Sequence, residues 1–146
     1  MTNFDNVQLP QQFKYRDNDV CIKNYYEFTC DNRIYFTEKF HKDLEHHLYK
    51  FNIEILSAID DYGLAIDFNE VDKLYKKEIA PYLDGKLVNE TLPDMNTTAE
   101  NIAFWIWEQF DRLLPENNKL QKLEFFETET QGLVITSELM EETKNH

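Results

Sequence analysis

Three of the four histidines fall in one octet, Phe40-His41-Lys42-Asp43-Leu44-Glu45-His46-His47, which carries the densest reactive chemistry in the chain. One carboxylate with two imidazoles is a catalytic zinc set, and Glu45, His41 and His47 would supply it. The same octet also reads as a solvated polar segment leading into a strand, and both readings stand at this stage. Glu127 is a second candidate. It continues the alternation of Leu123 and Phe125, and a carboxylate on such an apolar face needs a partner or a ligand. Cys21 and Cys30 form no C-x-x-C pair and no disulfide framework, so both are expected to be buried small hydrophobes.

The elements that must position these residues follow from periodicity. Residues 1–19 are polar with scattered aromatics and read as an arm. Val20 to Phe40 is rich in Tyr, Phe and Ile and is interrupted at Cys30-Asp31-Asn32, which predicts two strands around a break. Tyr49, Phe51, Ile53 and Ile55 alternate with polar residues, the pattern of a half-buried strand. Asp60-Asp61-Tyr62-Gly63 is a turn, and Leu64 to Phe68 reads as a short strand or extended lead-in. Val71, Leu74, Tyr75, Ile79 and Tyr82 then recur at helical spacing, with Asp67 and Glu70 as a capping box and Pro81 near the stop. A second helix is marked by Thr97 and Glu100 as its capping box and by the stripe Ala99, Ile102, Ala103, Ile106, Phe110 and Leu113. Trp105 and Trp107 flank that stripe. After the break at Pro115–Asn118, Leu123 to Thr128 alternates as a strand, and Gln131-Gly132 turns the chain into Leu133–Thr136. The order is strands, two helices and a closing hairpin: an α+β domain over residues 20–137, with an antiparallel sheet and two helices on one face. The polar tail, 138–146, is expected to fray.

Composition narrows the function classes. At 146 residues with 42% hydrophobic content, Phe 11 and Tyr 8, the chain can bury the core of one domain. A formal charge of −13 argues against nucleic acid and anionic membranes as partners. There is no apolar run of the roughly 20 residues a membrane helix needs. The opening Met-Thr-Asn-Phe-Asp-Asn has neither the basic nor the apolar region of a secretion signal, so a soluble, cytoplasmic protein is expected.

The stretch Gly-Leu-Ala-Ile-Asp-Phe (63–68), Leu83-Asp84, Asn89, Thr-Ala-Glu-Asn-Ile-Ala-Phe-Trp-Ile-Trp (98–107) and Phe-Glu-Thr (126–128) resembles the 6-pyruvoyltetrahydropterin synthase / 6-carboxytetrahydropterin synthase family, over roughly Tyr25 to Ile135. The resemblance implies the tunnel fold (T-fold), in which sheets of several subunits join into a barrel, hence a homo-oligomer, trimer or hexamer. It implies a pterin-like small-molecule ligand and a lyase that eliminates triphosphate from 7,8-dihydroneopterin triphosphate, in biopterin or queuosine biosynthesis. It also implies zinc, held in the family by histidines in F-x-x-x-H and H-x-H; those positions fall here on Asn32, Glu45 and His47, with His41 as the alternative third ligand. The family's catalytic cysteine position falls on His41, and its L-D-H motif reads Leu83-Asp84-Gly85. His41 oriented by Asp84 would then replace both the lost cysteine and the lost histidine. Glu127 matches the glutamate that grips the pterin ring, and Thr98 matches a position bordering the ring, or serves only as a helix cap. Two functions follow: a lyase with a remodelled centre, or a non-catalytic T-fold protein that binds the ring or serves as a scaffold. A structural partner that alters the oligomers of an active paralogue is a third.

Overall fold

The Tyr, Phe and Ile alternation of the first half builds a single long hairpin. In the computed structural model, which describes residues 2–142, β1 (Val20–Tyr35) pairs antiparallel with β2 (His41–Ser57). The expected break at Cys30-Asp31-Asn32 does not separate two strands. β1 runs through it, and opposite Asp31 it is β2 that carries the extra residue of a β-bulge: Cys30 opposes His47 and Asn32 opposes Leu44. The octet holding the histidines is correspondingly the first half of β2, rather than a lead-in to it. β3 (Asn118–Phe126) pairs with β2, and β4 (Gly132–Thr136) pairs with β3, giving the order β1-β2-β3-β4 with every pairing antiparallel. β3 starts five residues before the alternation at Leu123 becomes visible, because a second bulge between Glu54 and Ile55 breaks its register.

The helices cover one face of this open sheet. α1 (Phe68–Leu74) starts at Asp67, whose side chain accepts from Asn69 N–H. The segment 64–67 leading into it carries no strand. Its continuation widens to a π-helical turn (Tyr75–Ile79) and ends in a 3-10 turn over Ala80–Tyr82, where Pro81 removes a backbone donor. After the short α2 (Val88–Thr91) comes α3 (Ala99–Leu113), in which Ala99, Ile102, Ala103, Ile106 and Phe110 of the stripe are buried, Leu113 is partly buried, and the flanking Trp107 widens the buried face. The cap differs from expectation. Thr98, not Thr97, accepts from Asn101 N–H, and Thr97 is buried and engaged elsewhere. Tyr26, Phe28, Tyr49, Phe51, Tyr75, Phe110 and Phe125 interlock between the sheet and the helices, with centroids 4.4–6.3 Å apart.

A buried polar tie fixes α1 to β1. Asn24 and Tyr26 both donate to Asp72 Oδ1, at 3.0 and 2.8 Å. The chain after the 3-10 turn then lies along the free edge of β1. Gly85 N–H donates to Thr29 C=O (2.7 Å), and Asp31 N–H donates to Lys86 C=O (2.8 Å). β4 forms the opposite edge. The expected frayed tail is helical as α4 (Ser137–Glu141), and residues 143–146 lie outside the described residues. Among the described residues no helix is long and apolar enough to cross a membrane.

Candidate functional site

Bulge, hairpin turn and helix start converge at one end of the sheet, around Tyr49. This residue is fully buried on the helix-facing side of β2, stacked on Phe28 and Phe125 at 5.3 and 5.2 Å. Burial pushes its phenol well above the usual range, so it stays protonated. Asn32, 1% exposed, reaches Tyr49 from β1. Its Nδ2 donates to Tyr49 Oη (3.1 Å) and to Thr97 C=O (2.8 Å), while its Oδ1 accepts the Thr97 hydroxyl. Every polar atom of the amide thus has a partner. His47 packs on the Tyr49 ring at 4.5 Å and donates through Nε2 to the Glu127 carbonyl at 2.7 Å. That carbonyl accepts, so the nitrogen carries the proton.

Glu127 is the first residue after β3 and opens the β3–β4 turn. Its N–H donates to Gln131 C=O at 3.0 Å, so its backbone is held on both sides. The half-buried side chain lines a pocket of about 560 Å³ with His47, Leu48, Lys50, Phe126 and Thr128. Among the described residues its carboxylate has no hydrogen-bonded or ionic partner, and the Tyr49 phenol feels its negative charge. Gly132 closes the turn because nothing larger fits. A Cβ there would lie 2.6 Å from the Phe125 carbonyl oxygen and 2.7 Å from the Phe126 ring.

The other expected residues are placed as follows. Thr98 caps α3. His41 opposes Tyr35 at the turn end of the β1–β2 hairpin, their rings 5.6 Å apart. Asp84 lies at the β1 edge, where its Oδ1 accepts Thr29 N–H at 3.1 Å. Thr29 and Tyr35 are six residues apart, about 20 Å along a strand, so one chain does not bring His41 and Asp84 together. Beside Asp84, Gly85 has φ 71°, a left-handed conformation that favours glycine over a side-chain-bearing residue.

The zinc positions do not share a cavity. Glu45 and Asn32 line a pocket of about 690 Å³ beside α2, whereas His47 lines the Glu127 pocket. Among the described residues no three His, Cys, Asp or Glu side chains come together as a metal-binding group. The Asn32 amide is committed to Thr97 and Tyr49, and His47 commits Nε2 to the Glu127 carbonyl.

Of the cysteines, Cys30 is buried as expected, and burial with the nearby Asp31 and Asp84 carboxylates pushes its thiol up to about 12. Cys21 is exposed, contrary to expectation, because odd positions of β1 face away from the helices. Sequence reasoning also missed the roles of Tyr49 and Thr97. Their only outward signals were a tyrosine in an apolar alternation and a second threonine at a helix start.

The chain resembles known proteins in both sequence and fold. A family model described as 6-pyruvoyl tetrahydropterin synthase matches residues 21–138. The 6-pyruvoyl tetrahydrobiopterin synthase of Dictyostelium discoideum is 28% identical over 97 residues, 63% of this chain and 70% of that protein. The Homo sapiens protein of that name is 28% identical over 96 residues, 63% of this chain and 66% of its own length. The structure of Caenorhabditis elegans 6-pyruvoyl tetrahydropterin synthase superposes with a TM-score of 0.70 at 15% identity, covering 84% of this chain and 99% of that one. The Plasmodium falciparum enzyme gives 0.62 at 17% identity, covering 82% and 98%.

Proposed function

The chain belongs to the 6-pyruvoyl tetrahydropterin synthase family, and on that premise we propose that it binds a pterin-type ring at Glu127, in a site completed by further copies of the chain. The observation that carries this reading is the carboxylate of Glu127: half-buried, held by its backbone on both sides, and without a protein partner among the described residues. A pterin edge offers a ring N–H and an exocyclic amine side by side, which one carboxylate accepts together. Lys50 and Phe126 in the same pocket add a cation and an apolar wall. The open sheet supports assembly, since its edges, β1 and β4, are completed when sheets of several copies close into a barrel. Static light scattering at micromolar concentration is expected to give a trimer or a multiple of it, and a stable monomer would remove the shared site.

The lyase centre is remodelled. Cys30 holds its proton to about pH 12, and Gly85 offers no imidazole, so neither supplies the base that carbon–oxygen elimination needs. His41 and Asp84 form a base and its orienting carboxylate only when they come from different chains. The reading is therefore a ring-binding protein in which triphosphate release from dihydroneopterin triphosphate is weak, by the roughly 10²–10⁴ that loss of a general base costs. A coupled phosphate assay tests this. Robust release that vanishes in both His41→Ala and Asp84→Asn would establish the rewired dyad and overturn the weak-lyase reading.

A further inference from the structure

We propose that in this chain a protein-only chain of contacts, Thr97–Asn32–Tyr49–His47–Glu127, replaces the metal centre and positions the ring anchor. The proposal rests on the ring-binding reading for its function, and on geometry alone for its existence. The first link lies between the start of α3 and the part of β1 opposite the bulge, where Asn32 spends both amide hydrogens and its oxygen on Thr97 and Tyr49. The bulge in β2 opposite Asp31 enables this. It sets Asn32 opposite Leu44, and the Asp31 carboxylate accepts His46 N–H at 2.8 Å where His46 adopts φ 48°. The middle link is Tyr49, whose hydroxyl Asn32 holds and whose ring forms the wall against which His47 stands at 4.5 Å.

The last link is the donation from His47 Nε2–H to the Glu127 carbonyl across 80 residues of sequence. A metal centre would hold three side chains in place through their bonds to one ion. Here each contact does the same for one neighbour, and the outcome is a β3–β4 turn fixed from β2. His47 thus acts as a positioning residue: it touches the backbone of the anchor and leaves the anchor's carboxylate open to a ligand. Glu45, which the metal reading needs as a ligand, is left on the exposed side of the bulge and lines the other pocket.

The test uses the full-length chain, Zn²⁺ alone and neopterin. The expected results are less than a tenth of an equivalent of zinc after dialysis and a neopterin affinity unchanged by EDTA. Neopterin should bind His47→Gln within about threefold of wild type, because the glutamine amide donates from nearly the same place as Nε2, and His47→Ala at least tenfold more weakly. Imidazole ¹⁵N NMR reads the contact without any ligand: His47 should be the Nε2-protonated tautomer, unmoved by one equivalent of Zn²⁺. Stoichiometric zinc lost in both variants, a His47 resonance displaced by Zn²⁺, or His47→Gln as weak as His47→Ala would each overturn the proposal. Failure of the wild type to bind neopterin, with the NMR signature intact, would overturn the ring-binding reading and leave the chain of contacts standing.

Discussion

Replacing Asn32 with alanine strands buried polar groups, and the size of the loss can be worked from their contacts. The Thr97 carbonyl loses its side-chain donor, and the Tyr49 hydroxyl, inside a fully buried residue, loses the donor that holds it. The Thr97 hydroxyl keeps an acceptor, the Arg33 carbonyl at 3.3 Å, so it is not orphaned. Two unsatisfied buried groups at about 1–3 kcal/mol each give a loss of about 2–6 kcal/mol, set against a total stability of about 5–15 kcal/mol for a domain. At about 2–4 °C per kcal/mol for a chain of this size, the melting temperature should fall by on the order of 10 °C. Asn32→Asp sharpens the test. It keeps the shape but turns an oxygen toward the Thr97 carbonyl and buries a carboxylate, so it should cost at least as much as alanine. Thermal unfolding followed by circular dichroism reads both variants. A shift below about 2 °C for both would refute the network and, with it, the reason given for Asn32 lying inside the core.

Three further outcomes follow from the same geometry. Gly132→Ala places a methyl group against the Phe125 carbonyl and the Phe126 ring, so it should destabilise by about 1–3 kcal/mol in urea unfolding and weaken any ligand at the adjoining turn. Iodoacetamide at pH 8 should label exposed Cys21 and spare Cys30, whose thiol holds its proton to about pH 12; peptide mass spectrometry checks this, and equal labelling would contradict it. Tyr26, Tyr49 and Tyr75 are all raised by burial, so the folded state holds protons that the unfolded chain releases from about pH 10 upward. Stability should therefore be lost as pH rises beyond that point, with phenolate absorbance at 295 nm from these residues appearing only on unfolding.

What the sequence disclosed was whatever repeats locally. The α3 stripe from Ala99 to Phe110, the alternation from Tyr49 to Ile55 and the turn at Gln131-Gly132 each carry their period within a dozen residues, and each has the predicted structure. Cys30-Asp31-Asn32 imitated a chain break because polar residues interrupt an apolar run there, yet β1 keeps its alternation, with Phe28, Cys30, Asn32 and Ile34 all buried, and the extra residue of the bulge lies in β2. Thr98, already a possible cap, takes the capping role expected of Thr97. Either hydroxyl can cap a helix, and the choice was made by Asn32, 65 residues away, which no local pattern encodes. Glu127 stood out in the sequence because a carboxylate continuing an apolar alternation demands a partner, and among the described residues its carboxylate has none. His47 stood out in the histidine-rich octet, but its contact with the Glu127 carbonyl required β2 and the β3–β4 turn to be in place.

The most direct measurement of the central claim is a calorimetric titration of neopterin into the wild-type protein and into Glu127→Gln. The substitution keeps the shape of the side chain and replaces one acceptor with a donor that faces the donors of the ring. Charge-assisted hydrogen bonds of about 1.5–3 kcal/mol each are at stake, so the variant should bind at least tenfold more weakly while its assembly state and melting temperature stay as in the wild type. Saturable binding by the wild type with that loss is the predicted result. Equal affinity of the two proteins, or no binding by the wild type, would contradict Glu127 as the ring anchor.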